Sequence, residues 1–284
     1  MTEVNGKRFK VADKTTNTFE LQTLAGVDIN SSSYTTYSSG GVANKIYEIA
    51  TSITESMLYE IQHTQSADIM YIVHETIPPQ KLTRTGHTSW SIGAETFTDS
   101  PFLGVNLSTT TLTPASASVA TGVNITASAV TGINDDQGFL STDVGRTISM
   151  NSGQAIITAR TSATVVVVSI TTAFTNTDAQ TSWQLGSWSD TTGYPRTVTF
   201  FEQRLVFAGT TNNPQTIFGS QSGLYTNFNT GDASDADAFI YTIAANRVNI
   251  IRWLSPARDL IVGTAGGEFK VGRPTGEPLT PTNV

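Results

Sequence analysis

Cysteine is absent from this 284-residue sequence, and both charged residues and long apolar runs are scarce. Without cysteine the chain has no disulfide framework, no thiolate zinc site and no thiol nucleophile. Charged residues form only 14% of the chain, whereas about 25% is average for a soluble domain. No apolar segment approaches the ~18 residues of a membrane-spanning helix. Membrane insertion is therefore not expected.

Basic surface is also missing, because the net charge is -7 and the isoelectric point is about 4.9. A protein that wraps a phosphate backbone needs a basic face, so specific binding of DNA is not expected. Serine, threonine, asparagine and glycine fill most polar positions, and the glutamate, lysine and arginine of exposed helix faces are few. This composition favours a mainly β fold.

Short segments with apolar residues at alternate positions occur along the chain, as strands require. After Trp188 they recur about every 10 residues, in RTVTFF, RLVFAG, QTIFGS, AFIYTIA, VNIIRWL, DLIVGTA and GEFKVG. Regular short strands separated by turns are typical of propeller blades or stacked sheets. The sequence therefore predicts a propeller-like or multi-sheet β body.

One short helix is predicted from Thr54 to Gln62. Ser52 and Glu55 have the spacing of a capping box, and Met57 and Ile61 would share one face of the helix.

Composition divides the chain into three predicted parts. Residues 1–44 form a small β module that ends near a glycine pair, and residues 45–106 and 188–284 form the β body. Residues 107–187 are rich in serine, threonine, alanine and valine with few charges, and Trp183 and Trp188 stand at the end of this segment. We expect it to be an inserted β domain, either a small sandwich or a barrel.

Several stretches, in the same order along nearly the whole chain, resemble the tail nozzle proteins of tailed phages, also called tail tubular protein B-like or phage stabilisation proteins. They are QSADIMYIVHETIPPQKLTRTGHTSWSI, then DVGRTISM through SATVVVVSITTAF, then WQLGSWSDTTGYPRTVTFFEQRLVFAGTTNNPQTIFGSQSGLYTNF. The block YPRTVTFFEQRLVFAGT followed by PQTIFGS is specific.

The resemblance implies a non-enzymatic structural protein of the virion tail. It implies a ring, typically a hexamer, that binds the tail adaptor and other tail proteins and lets DNA pass without gripping it. No cofactor is expected. The resemblance also implies further sequence before the NGKRFKV strand and after PLTPTNV, so the chain is expected to be a fragment or a short variant.

The N-terminal stretch VNGKRFKVADKTTNTFELQTL resembles a small β module found in phage structural proteins and in the first catalytic cysteine half-domain of ubiquitin-activating enzymes. The likeness concerns the fold alone, because this chain has no cysteine to carry that chemistry.

The segment YPRTVTFFEQRLVFAGT is expected to form a strand pair in the core of the body. Phe200, Leu205 and Phe207 would point inward, and Arg204 would be held by a carboxylate or by backbone carbonyls, since an unpaired buried charge costs several kcal/mol. Trp183 and Trp188 are expected to anchor the packing at the end of the inserted domain.

Residues with possible metal or catalytic chemistry are few. Asp232, Asp235 and Asp237 place three carboxylates within GDASDADAF, and clustered oxygen ligands suit Ca²⁺, but an exposed acidic turn explains the same pattern. The three histidines, His63, His74 and His87, have no second ligand at metal spacing.

An alternative function is a tail-associated protein that binds or hydrolyses glycans. Hydrolysis requires two carboxylates about 5 to 9.5 Å apart in a sugar groove, and no pair in the sequence is specific for this role. Sugar stacking in this interpretation would use exposed aromatic side chains, for which Tyr34, Tyr37, Trp90 and Trp188 are the candidates.

Overall fold

The protein is described here by a computed structural model that covers residues 1–244, 248–272 and 279–281. About 40% of the residues are in strands and 2% in helices, so the predicted mainly β, multi-sheet fold is confirmed. None of the helices in these ranges has the length and apolar character needed to cross a membrane. The chain divides into two compact units, Met1–Glu48 and Ile49–Val284.

The described residues form nineteen strands. In chain order they are β1 (Lys10–Ala12), β2 (Glu20–Gln22), β3 (Gln62–Ser66), β4 (Ile69–His74), β5 (Ile77–Gly86), β6 (Ser89–Ala94), β7 (Leu112–Pro114), β8 (Val123–Ala127), β9 (Thr147–Met150), β10 (Gly153–Arg160), β11 (Val165–Thr172), β12 (Trp183–Leu185), β13 (Thr197–Phe201), β14 (Arg204–Ala208), β15 (Thr216–Gly219), β16 (Phe239–Thr242), β17 (Ile251–Pro256), β18 (Leu260–Thr264) and β19 (Gly267–Val271).

The first unit contains one antiparallel hairpin of β1 and β2. Most of its side chains are exposed, including Val11 and Phe19. A polar contact connects the start of this unit to a later loop. The Glu3 carboxylate accepts hydrogen bonds from the Thr35 hydroxyl and from the Thr35 backbone N–H. These hydrogen bonds lower the pKa of Glu3 to about 2. Hydrogen bonds rather than a large apolar core therefore hold this unit.

The second unit contains three antiparallel meanders in which consecutive strands are neighbours. Their strand orders are β3-β4-β5-β6, β13-β14-β15-β16 and β17-β18-β19. These meanders lie in the two sequence ranges predicted for the body. Arrangement of the sheets as propeller blades stays a prediction.

The sheet of β13 to β16 is buried on both faces along β14 and β15, whereas three of the four residues of β16 are exposed. Successive residues of a strand point to opposite faces, so Leu205 and Phe207 enter one core while Val206 and Ala208 enter another. The first core includes Tyr71 and Val73 from β4, and the second includes residues of β17, β18 and β19. This sheet is therefore the middle layer of the body, which explains why all five residues of β14 are buried.

A further sheet lies wholly within the segment predicted to be an insertion. Its order is β12-β9-β10-β11-β8-β7, and all pairs are antiparallel. A separate apolar core, from Leu112 to Leu185, packs on it. The two ends of the segment run side by side, because the Leu103 N–H donates to the Leu185 carbonyl and the Ser187 N–H donates to the Pro101 carbonyl.

The predicted helix from Thr54 to Gln62 is wrong. Within this range the structure has one 3-10 turn, at Glu55–Met57, and Gln62 begins β3; a second 3-10 turn lies at Ser141–Asp143. Ser52 does not cap the turn, since its hydroxyl donates to the Gln80 side chain. Such a short segment cannot recover the cost of helix nucleation unless an apolar face is buried, and no residue of this turn is buried.

Candidate functional site

The Arg204 side chain lies at the start of β14 and is only 2% exposed. Its Nη1 donates to the carbonyls of Ser220 and Asp237, at 2.6 Å in both cases, and its Nη2 donates to the Asp235 carbonyl at 2.5 Å. The Cζ atom also lies 5.8 Å from the centre of the Phe239 ring, within the range of a cation–π contact. The guanidinium is thus held by backbone carbonyls, as one form of the sequence prediction requires.

Burial and nearby charges shift the pKa of Arg204 in opposite directions. Burial lowers the pKa of Arg204 from its usual value, while the negative charges of Glu202 and Asp237 raise it. Direct hydrogen bonds to carbonyls compensate the loss of water around the guanidinium. The arrangement makes Arg204 a cross-link between β14 and the segment before β16.

The acidic turn that contains Asp232, Asp235 and Asp237 closes over Arg204. The Asp237 carboxylate accepts hydrogen bonds from the Ser234 N–H and hydroxyl at 2.9 Å, and from the Gln221 side chain at 3.2 Å. Asp232 and Asp235 are exposed. Among the described residues no three His, Cys, Asp or Glu side chains are grouped for a metal ion. The turn contributes backbone carbonyls to Arg204, and the structure does not bring its three carboxylates together as ligands.

Trp188 is the centre of an aromatic cluster in the body. Its ring makes edge contacts with Phe97, Phe207, Phe218 and Phe228, with centroid distances from 5.1 to 5.6 Å. Trp188 is only 9% exposed, so its predicted role as an exposed sugar platform is wrong. Each edge-to-face aromatic pair stabilises a fold by about 0.5–1.5 kcal/mol in addition to the effect of burying its apolar area.

Two further aromatic residues predicted to pack, Phe200 and Trp183, also face cores. Phe200 is half-buried and packs edge-on against Tyr71 and Tyr225. Trp183 is buried in the core of the inserted segment, and its Nε1 donates to the Thr110 carbonyl at 2.9 Å. Both positions agree with a packing role.

A buried ion pair, which the sequence reasoning missed, joins the inserted segment to the body. Asp143 and Arg146 are both almost completely buried, with 2.9 Å between Asp143 Oδ1 and Arg146 Nη1. Arg146 Nε donates to the Gly186 carbonyl at 2.8 Å, and the Thr191 hydroxyl donates to Asp143 at 2.8 Å. The i, i+3 spacing of the pair in STDVGR is the signal that could have indicated it.

A polar cavity of about 420 Å³ marks a second junction between the inserted segment and the body. Asp99, on its wall, is 9% exposed and accepts hydrogen bonds from Gln154 Nε2 at 2.6 Å and from Asn229 Nδ2 at 2.8 Å. Burial raises the pKa of Asp99, and the two hydrogen bonds oppose the rise. One carboxylate thus links a strand of the inserted sheet to a loop of the body.

The three histidines lie apart in the structure. His63 is in β3, and His87 lies beside Arg84, with 3.3 Å between Arg84 Nη2 and His87 Nδ1. His74 is buried and faces the Glu60 carboxylate, with 3.3 Å between Nε2 and Oε2.

No protein-family model matches this sequence, and a search of curated proteins finds no significant match.

Proposed function

We propose that this chain is a non-enzymatic structural component of a phage tail and forms part of the nozzle ring through which DNA is ejected. The observation that carries the proposal is the ordered resemblance along nearly the whole chain, above all YPRTVTFFEQRLVFAGT followed by PQTIFGS. In the structure this block spans β13, β14 and β15, which belong to the middle layer of the body.

The internal cross-links of the second unit support a mechanical role. Arg204 joins β14 to the segment before β16, while Asp143, through Thr191, and Asp99, through Gln154, join the inserted segment to the body. Removing one partner of a buried charged network is strongly destabilising, so such links hold their elements in one arrangement. A wall element of a channel needs this resistance to deformation.

The acidic composition supports passage of DNA without retention. A net charge of -7 repels phosphate groups, whereas a basic channel wall would bind the strand and slow it.

The proposed partners are further copies of the chain, the tail adaptor and other tail proteins. A closed ring needs heterologous contacts, in which one side of a subunit meets a different side of the next. Isolated subunits can therefore remain monomeric until the adaptor aligns them. We propose a hexamer as the closed form.

Labelling of phage particles tests this proposal. Because the chain has no cysteine, the change of Leu107, which is 98% exposed, to cysteine would create its only thiol. Maleimide-gold on particles that carry this variant should appear around the tail axis, and unmodified particles serve as the background control. Label confined to peripheral spikes, together with glycan cleavage by the purified chain, would overturn the proposal in favour of a hydrolase.

A glycan-binding tail protein is the second candidate function. The observation that favours it is an exposed tryptophan, Trp253, on the wall of a cavity of about 350 Å³ in the body. Release of reducing ends from a polysaccharide would distinguish a hydrolase from a binding protein.

A further inference from the structure

The cavity beside Trp253 lies where the approach to β3, the turn after β4 and strand β17 meet. Tyr59 and Glu60 come from the first of these, Glu75 from the second and Trp253 from the third, and His74 at the end of β4 also lines the cavity. The Gln62 side chain donates to the backbone carbonyl of the residue before Trp253, which holds β3 next to β17. The volume of about 350 Å³ is at the lower end of the range for small-ligand sites, about 300–1,000 Å³.

The Trp253 indole lies flat against β18. Trp253 pairs with Gly263 in the register of β17 and β18. A Cβ atom added to Gly263 would lie 1.9 Å from Trp253 Cε2 and 2.2 Å from its Nε1, so only glycine leaves room for the ring. One face of the indole is therefore covered by the strand, yet the side chain is still 38% exposed and lines the cavity. An aromatic ring supported in this way is a rigid surface for stacking.

Polar groups of both charges surround this ring. Glu60 is 68% exposed at its side chain and faces His74, while Glu75 is paired with Arg196. The His74 Nδ1 accepts the Thr76 N–H, and its Nε2 lies 3.3 Å from Glu60 Oε2. Arg252, which also lines the cavity, is exposed.

This combination suits a sugar better than a phosphate. A carboxylate and a guanidinium each present two coplanar hydrogen-bonding atoms, which match the neighbouring hydroxyl groups of a pyranose. The apolar face of a pyranose can stack on an indole, because contact between apolar surface and an aromatic ring is favourable. A phosphate would be repelled by Glu60 and Glu75, both on the wall of the cavity.

We propose that this cavity binds a neutral pyranose unit of a polysaccharide, which stacks on Trp253 and hydrogen-bonds to Glu60 and Arg252. The proposal names the ligand class for the second candidate function and does not depend on the ring. Labelling of particles tests the ring, whereas titration of the isolated chain tests the cavity, so the failure of one is distinguishable from the failure of the other.

The test is calorimetric titration of the full chain with tetrasaccharides of glucose, galactose, mannose and N-acetylglucosamine. At least one of them should bind, and Trp253→Ala should weaken that binding at least about tenfold, as for an aromatic anchor. Tyr241→Ala is the matched control, because Tyr241 is 37% exposed, nearly as much as Trp253, and does not line the cavity. This control should bind the sugar as the unchanged chain does.

A second variant keeps the test valid if Trp253→Ala does not fold. Glu60→Gln keeps the size of an exposed side chain, and it should weaken binding several-fold while the urea midpoint stays unchanged. The proposal is overturned if none of the four sugars binds, or if Tyr241→Ala weakens binding as much as Trp253→Ala. Binding of a polyuronate but of no neutral sugar would also overturn it.

Discussion

Among the described residues, Arg204 and Arg146 are buried arginines that each donate several hydrogen bonds, and both connect distant parts of the chain. Arg204 reaches carbonyls 16 to 33 residues further along, and Arg146 reaches the carbonyl of a residue 40 positions away. Arginine suits this role because its guanidinium keeps its charge and presents five donors in a fixed plane. Their removal should therefore affect stability more than the change of exposed arginines.

Replacement of Arg204 by methionine should destabilise the second unit by about 3 kcal/mol or more, because the carbonyls of Ser220, Asp235 and Asp237 lose their charged donor. Urea denaturation followed by tryptophan fluorescence measures the change. Arg258→Met is the control at an exposed position, where a change within about 0.5 kcal/mol is expected. Equal effects of both substitutions would contradict the role assigned to Arg204.

Asp99 should make stability depend on pH. Its pKa is raised in the folded state, so the native chain holds this proton more tightly than the unfolded chain does. The contribution of Asp99 to the free energy of unfolding therefore falls as the pH rises from the unfolded pKa, about 3.9, to the raised pKa of the folded state.

Asp99→Asn is the variant that isolates this effect. Between pH 7 and pH 4 the urea midpoint of the unchanged chain should rise relative to that of Asp99→Asn. A difference that stays constant with pH would show that burial does not perturb the Asp99 carboxyl group.

Strands and turns are specified mostly by local sequence. The turn of the β13–β14 hairpin is an exception, because its residues do not favour its conformation. Phe201 pairs with Arg204, so the turn contains only Glu202 and Gln203, with φ values of 46° and 60°. Two positive φ values define a type I′ turn, which normally takes Asn-Gly. The Glu-Gln sequence is therefore unfavourable for its own conformation.

Replacement of Gln203 by glycine should raise the free energy of unfolding by roughly 0.5–1 kcal/mol, since left-handed backbone costs an L-residue more than a glycine loses in entropy. Gln203→Val should lower it by about 1 kcal/mol, because branching at Cβ disfavours positive φ. Denaturation by urea gives both values. A loss of stability in the glycine variant would contradict the turn conformation.

The inserted segment can be tested as a separable module. Its ends run side by side between Leu103 and Leu185 and between Pro101 and Ser187, so a short linker can replace what lies between them. Deletion of residues 104–185, with Leu103 joined to Gly186 by a Gly-Ser linker, should leave the body folded and less stable, because Asp99 loses Gln154 as a partner.

Circular dichroism and urea denaturation would measure the result. The isolated segment, expressed by itself, should show a strand spectrum and a cooperative transition. An insoluble deletion variant together with an unstructured isolated segment would mean that the two share one core.

The whole chain combines an acidic charge with a body of several packed sheets. Because the net charge is -7, the second unit presents no excess of cations to a phosphate backbone. We expect binding to linear duplex DNA at about 0.15 M salt to be weaker than ~10⁻⁴ M, the weak end of non-specific binding. A gel-retardation titration measures this, with polylysine as the positive control. Saturable retardation that weakens with added salt would contradict passage without gripping.

Local pattern was enough to predict the strands, since alternation of apolar residues depends only on neighbours two positions apart. The segments RTVTFF, RLVFAG, QTIFGS, VNIIRWL and DLIVGTA all contain strands of the structure. The same reasoning failed for Thr54 to Gln62, because a helix of this length depends on burial of its face, and no residue of the turn that forms there is buried.

The sequence alone determined the strand-rich class, the acidic surface and the burial of Arg204, because composition and alternation are properties of short segments. The partners of Arg204, the Asp143–Arg146 pair and the support of Trp253 by Gly263 depended on the packing of the folded chain. Their partners come from other strands and turns, and the register that brings Trp253 onto Gly263 is set by pairing of β17 with β18. Contacts of this kind arise from the packing of whole sheets, which no single segment encodes.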